Sequence, residues 1–156
     1  MGGLEHDTVT GNVSYAPMNH EQMIRTRGRK IAGITREIPK TEVFGADRGD
    51  LLVLGWGGTF GALREATRQL NGQGKSVGHV HLRYLNPLPA DLPDVMARFR
   101  RVLVPEINLG QLVKLIRAEY LVDAIGMNQV QGRPFKVGEV VGRCLKLLNG
   151  AREEAA

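Results

Sequence analysis

Apolar residues along this chain alternate between short unbroken runs and a three-to-four spacing, the pattern of strands alternating with helices. Leu51-Leu-Val-Leu54 is a continuous run, as in a strand covered on both faces. Gly55, Gly57 and Gly58 then turn the backbone, and Thr59 is placed to cap a helix over about Phe60–Asn71, which Gly72 and Gly74 end. Val77–Tyr84 predicts a second strand, leading into Leu85-Asn-Pro-Leu-Pro89. Asp91 is set to cap a short helix through Phe99, with Pro93 tolerated in its first turn. Val102–Pro105 predicts a third strand, and Asn108 and Gln111 are spaced as a capping box. The helix after them would bury Leu112, Leu115, Ile116, Leu121 and Val122. Met127–Val130 predicts a fourth strand, and Val137–Leu148 a closing helix with Val140, Val141, Cys144, Leu145 and Leu148 inward. Such alternation selects an α/β fold with a mainly parallel sheet and right-handed crossovers.

The N-terminal region is different. Residues 1–18 are polar without sustained period and read as a linker or arm. A helix is expected from Asn19, with Gln22 as its capping-box partner. Met23, Ile24, Arg27, Ile31 and Ile34 sketch a weak stripe on it, interrupted by Gly28. Residues 19–40 are therefore a helix and a connection, and Thr41–Phe44 a short edge strand opening an α/β unit over 41–150. Residues 151–156 read as a frayed tail.

Composition narrows the function classes. A 42% hydrophobic and 24% charged chain of 156 residues suits one folded domain with an arm. No apolar run approaches the ~20 residues needed to cross a bilayer. The opening Met-Gly-Gly-Leu-Glu-His-Asp has no apolar core of a secretory signal, and His6 stands where a myristoylation motif wants Ser or Thr. A cytoplasmic location is expected. Net charge is +5, with basic residues crowded between Arg25 and Arg48. That balance would suit RNA, a third and weaker reading, but aromatics are only 5% and form no stacking platform. A solvated face or an acidic protein partner fits better than nucleic acid.

Candidate chemistry is sparse. Gly57-Gly58-Thr59 before a helix offers free N–H groups to an anion, yet it completes neither a Walker loop nor Gly-x-Gly-x-x-Gly, since Phe60 precedes Gly61. A tight structural turn is the plainer reading. Glu106 and Asn108 stand together after the third strand; Asn108 suits a helix cap, while Glu106 is open between an internal hydrogen bond and a subunit contact. His79 and His81 share a strand face but lack a third metal ligand. Cys144, the single cysteine, falls inside an apolar helix pattern and reads as an inert buried thiol. No nucleophile–base–orienter set assembles, so no residue is assigned a catalytic or metal-binding role.

Five segments in order carry a resemblance: Thr41-Glu-Val-Phe-Gly45, Asp50-Leu-Leu-Val-Leu-Gly-Trp-Gly-Gly-Thr59, His81-Leu-Arg-Tyr-Leu-Asn-Pro-Leu-Pro89, Val104-Pro-Glu-Ile-Asn-Leu-Gly-Gln-Leu112 and Arg117-Ala-Glu-Tyr-Leu121. With Gly3-Leu-Glu-His-Asp7, Gly11-Asn-Val-Ser-Tyr15 and Asn19-His20 before them, the match spans about residues 2–148. The chain resembles the C-terminal part of the alpha subunit of 2-oxoacid:ferredoxin oxidoreductases, most closely the 2-oxoglutarate type. The resemblance implies a three-layer α/β/α sandwich like the transketolase C-terminal domain, which packs the assembly. It also implies that thiamine diphosphate, Mg²⁺ and iron–sulfur clusters belong to other parts of the complex, with no cofactor in this chain. The implied partners are a beta subunit and an N-terminal alpha domain, with ferredoxin and coenzyme A meeting the whole enzyme. The Gly-Asp-Gly…Asn motif for the metal–diphosphate is missing, and no catalytic residue carries over because the resemblance places none of the family's catalytic positions within these residues. An excised piece, a truncated frame or a split gene would each account for the length. Gly57, Gly58, Thr59, Glu106 and Asn108 are the interface or anion-contact candidates. The alternative is a free-standing α/β module binding a nucleotide or other anion at Gly57-Gly58-Thr59.

Overall fold

The computed structural model describes residues 4–150, and the tail expected over 151–156 lies outside them. The chain forms two compact units: residues up to Pro39 with Tyr84–Ala90, and Lys40–Arg83 with the residues from Asp91 onward.

The larger unit is built on a five-stranded sheet. Its strands are β1 (Phe44–Gly45), β2 (Leu51–Trp56), β3 (Val77–Leu82), β4 (Val102–Glu106) and β5 (Ile125–Asn128). Their spatial order is β1-β3-β2-β4-β5; β1 is antiparallel to β3 and every other pairing is parallel. Helices α2 (Phe60–Gly72), α3 (Leu92–Met96), α4 (Gln111–Tyr120) and α5 (Val137–Leu148) connect or follow the strands. Strand side chains alternate between faces. Leu51, Val53, Val77 and Leu103 pack against Leu63, Ala66 and Leu70 of α2 and Val140, Cys144 and Leu147 of α5. Leu52, Leu54, Val80 and Val104 are buried toward the opposite side, where α3 and α4 bury Leu92, Val95, Met96, Leu112, Val113 and Ile116. This is the three-layer sandwich. Gly78 makes one close approach possible, because a Cβ there would lie 2.5 Å from Phe99 Cζ and 2.7 Å from the Ala46 carbonyl oxygen.

Several expectations need correction. Strand β2 runs on through Gly55 and Trp56, because Trp56 stays extended and pairs with Leu82. Strand β3 stops at Leu82. The edge strand is Phe44–Gly45, since Phe44 and Gly45 pair with His79 and Gly78. The last strand is Ile125–Asn128, drawn toward the N-terminus by pairing with Leu103 through Glu106. Thr59 does not cap α2: its hydroxyl donates to the Trp56 carbonyl at 2.8 Å. Asp91 does not cap α3 either; it accepts the Thr41 N–H at 2.9 Å and the Thr41 hydroxyl at 2.8 Å, and the helix ends at Met96. In α5, Leu147 is buried and Leu148 only partly so.

Helix α4 also ends early. Leu121 turns into the left-handed region at φ 53 and is 91% exposed, so Leu121 and Val122 leave the apolar face and Val113 joins it. Leu121 occupies the position glycine usually takes after a helix. L121G should therefore stabilise the fold by about 0.5–1 kcal/mol, read as a raised urea midpoint at constant m-value.

In the smaller unit α1 (Pro17–Gly33) begins at Pro17, whose fixed φ suits a first helical position, and passes Gly28 unbroken. Asn19 is inside it and ties down the preceding turn, accepting from Thr8 N–H at 3.1 Å and donating to the His6 carbonyl at 2.9 Å. Within the stretch read as a linker or arm, the described residues make local hydrogen bonds of their own. Asp7 accepts the Val9 and Thr10 amides within it, and His6 bridges Val13. Arg27 grips Glu5 with two 3.0 Å hydrogen bonds and holds its carboxyl down at about 2; His20 adds another at 2.9 Å. None of the residues of α1 is buried, so its sketched stripe covers no core.

Candidate functional site

Strand order places a topological switch between β2 and β4. From β2 the chain crosses through α2 to β3 on one side, whereas β4 and β5 lie on the other. Loops leaving the carboxyl ends of strands at such a point diverge and leave a crevice. The five residues singled out in the sequence all fall here: Gly57, Gly58 and Thr59 after β2, Glu106 and Asn108 at and after β4. The loops are neighbours, since a Cβ on Gly58 would lie 3.9 Å from Ile107 Cδ1.

The polar members of this group are engaged inside the chain. Glu106 is completely buried. It accepts Leu112 N–H at 2.8 Å, Val113 N–H at 3.0 Å, Asn108 Nδ2 at 3.1 Å and the Trp56 indole N–H at 3.3 Å. A carboxylate on the preceding strand thus satisfies the first amides of α4, where the helix dipole also favours negative charge. Asn108 Oδ1 accepts the Gly110 and Gln111 amides at 2.7 and 3.1 Å, an Asx turn in place of the expected reciprocal box with Gln111. Thr59 is buried. Outward from this lattice stand Gly57, Gly58, Ile107 and Leu109, the last two 44% and 79% exposed.

A second constellation lies on the α2 face of the sheet, over β3 beside the edge strand β1. His79 and His81 project from one face of β3 with ring centroids 5.8 Å apart, and Phe60 lies 6.0 and 5.0 Å from them. Arg64, one turn along α2 from Phe60, places its guanidinium 3.9 Å from the Phe44 ring centroid and 5.6 Å from that of Phe60. With Glu42, Val43 and Arg83 these residues line a cavity of about 370 Å³. His79 Nε2 and His81 Nδ1 are buried without a hydrogen-bond partner. Burial pushes the His79 pKa down to about 4, helped by His81 and Arg64, and burial lowers that of His81. Both rings are neutral near pH 7. The shared face of the histidines was legible from their i, i+2 spacing, and the Phe60–Arg64 spacing signals a helical neighbour pair. Phe44 was not legible, because it joins them only through the register of β1 on β3.

Cys144 is buried and its thiol is pushed up to about 12 by that burial, which leaves essentially no thiolate near neutrality. Among the described residues no group of three or more His, Cys, Asp or Glu could hold a metal ion, and no helix is long and apolar enough to cross a membrane.

The fold is a mixed α/β module with a five-stranded, mainly parallel sheet and a topological switch between β2 and β4. No family model matches the chain. It is 43% identical over 147 residues, 94% of its length, to the 2-oxoglutarate oxidoreductase subunit KorA of Mycobacterium tuberculosis, of which it covers 22%. It is 30% identical over 97% of its length to the alpha subunit of 2-oxoacid:ferredoxin oxidoreductase 1 of Aeropyrum pernix, of which it covers 25%. A 2-oxoglutarate:ferredoxin oxidoreductase from Magnetococcus marinus, solved with 2-oxoglutarate, coenzyme A and succinyl-CoA bound, superimposes with a TM-score of 0.84 and 36% identity. That match takes in 92% of this chain and 25% of the other. The chain is a homologue of one segment of 2-oxoacid:ferredoxin oxidoreductase alpha subunits, and spans about a quarter of the length of these relatives.

Proposed function

We propose that this chain is the C-terminal, sheet-bearing segment of the alpha subunit of a 2-oxoglutarate:ferredoxin oxidoreductase, and that it packs the assembly while chemistry occurs elsewhere. The observation that carries this reading is similarity along nearly the whole chain, 43% identity over 94% of it, to a 2-oxoglutarate oxidoreductase subunit. The complete enzyme would decarboxylate 2-oxoglutarate oxidatively to an acyl-CoA and pass electrons to ferredoxin. Thiamine diphosphate, Mg²⁺ and iron–sulfur clusters would be held by the other domains and the beta subunit. A single cysteine supports that division of labour, because a cluster takes about four thiolates.

The docking role has a physical basis at the switch point. Glu106, Asn108 and Thr59 stiffen the loops from within, and a stiff loop pair presents its exposed residues at little entropic cost. Gly57, Gly58, Ile107 and Leu109 then form the contact surface, small backbone positions beside two exposed aliphatic side chains. Leu109 is the better probe of the two. In the assembled enzyme L109D should weaken association of alpha with beta, by about tenfold or more if the residue is a central anchor, while this chain keeps its own unfolding midpoint. Co-purification of the beta subunit and ferredoxin-dependent oxidation of 2-oxoglutarate are the readouts. An enzyme deleted of this segment that still assembles and turns over normally would refute the reading.

A further inference from the structure

We propose that the cavity lined by Phe44, Phe60, Arg64, His79, His81 and Arg83 is a binding site for a small monocarboxylate with a flat apolar body. It goes beyond the docking role and does not depend on it.

Size is the first argument. About 370 Å³ is the lower part of the range occupied by small-molecule sites, far more than a single water needs. Charge is the second. Around the cavity stand Arg64 and Arg83 against Glu42, with both imidazoles neutral, so the lining carries one net positive charge at pH 7. Neither arginine nor Glu42 takes part in any of the ion pairs among the described residues. One negative charge completes the balance. A second would meet Glu42, which argues against a dianionic phosphate or a dicarboxylate.

Geometry selects the anion's shape. The Arg64 guanidinium carbon lies 3.9 Å from the Phe44 ring centroid, and a guanidinium held there can offer a carboxylate two parallel N–H groups. His79, 98% buried, forms part of the wall and has an Nε2 that no protein group satisfies. That nitrogen is closed off from solvent as the ring stands, so Arg64 is the group that would hold the carboxylate, with the two imidazole rings in the wall beside it. Beyond the charged group the wall is Phe44, Phe60 and Val43, suited to a planar apolar body.

Benzoate is the probe, followed by heteronuclear NMR of the imidazole resonances of the full chain, with benzamide as uncharged isostere and inorganic phosphate as the compact anion. The expected result is saturable movement of the His79 and His81 signals with benzoate, His6 and His20 staying still, and no response to benzamide. R64Q should weaken benzoate affinity by about tenfold or more, the loss of a charged hydrogen-bonded pair, with the folded spectrum retained. Should R64Q lose that spectrum, R64K keeps the cation but not the fork and must also weaken binding. No saturable shift, equal binding of benzamide, a stronger response to phosphate, or undiminished affinity in the arginine variant would each overturn the assignment. None of these outcomes bears on whether the chain docks a beta subunit.

Discussion

E106A should destabilise the larger unit by about 3–5 kcal/mol, the largest effect expected of any single replacement in this chain. Two backbone amides, Leu112 and Val113, bond to the two oxygens of this completely buried side chain at 2.8 and 3.0 Å. Each would be left buried and unpaired at about 1–3 kcal/mol, and the emptied volume adds a cavity term. Asn108 and the Trp56 indole lose less, because both are partly exposed and water can replace the carboxylate. E106Q keeps the volume and one acceptor oxygen, and its cost should fall between wild type and E106A. Urea unfolding gives the ordering. Trp56 is the only tryptophan, so its fluorescence reports on the same hydrogen bond without interference. The experiment also separates the two roles left open for Glu106 in the sequence. A residue serving a subunit contact alone would leave the isolated chain's stability unchanged and weaken only assembly.

The heart of β2 was legible because a strand buried on both faces must be an unbroken apolar run, as Leu51–Leu54 is. The closing helix was legible end to end, since Val137–Leu148 carries a clean amphipathic period. What the sequence hid was always set by a distant partner. Trp56 is strand because Leu82 lies beside it, and Phe44–Gly45 is strand because His79 and Gly78 do. Cap residues were misassigned for the same reason. Asp91 and Thr59 have capping chemistry, but Thr41 is fifty residues away from Asp91 and takes its carboxylate, while Thr59 turns back on Trp56. Glu106 caps α4 from six and seven residues upstream, outside the window in which any local capping rule looks. At the candidate site the sequence found both loops but could not tell inward from outward. Glu106 and Thr59 turn in, and Leu109, an apolar residue between the two expected capping positions Asn108 and Gln111, turns out.

Stability should fall as pH drops from 6.5 toward 4, by about 3 kcal/mol over the whole window and about 2 kcal/mol by pH 5. The group responsible is His79, whose pKa moves from an ordinary 6.5 to about 4 on folding, chiefly through burial. Between those values the unfolded chain binds a proton that the folded chain refuses, so protonation pulls the equilibrium toward unfolding and stability rises with pH. His81, lowered by burial as well, acts in the same direction. Arg64 acts on this ring and Arg83 on its neighbour His81, and only Glu42 among the cavity's residues opposes them, so the surroundings supply no net anion to support an imidazolium. The strongly paired carboxylates occupy a different window. Glu5, Glu65 and Glu139, each held down at about 2 by an arginine, give up their contribution only as pH falls below about 4.5. H79F, which keeps the ring volume and removes the titration, should flatten the profile between pH 4 and 6.5 and leave the more acidic limb intact. H79Q should do the same if a phenyl ring disturbs the packing against Phe60. A slope through that window surviving unchanged in both variants would place the titrating group elsewhere and remove the claim that His79 is kept neutral by the fold.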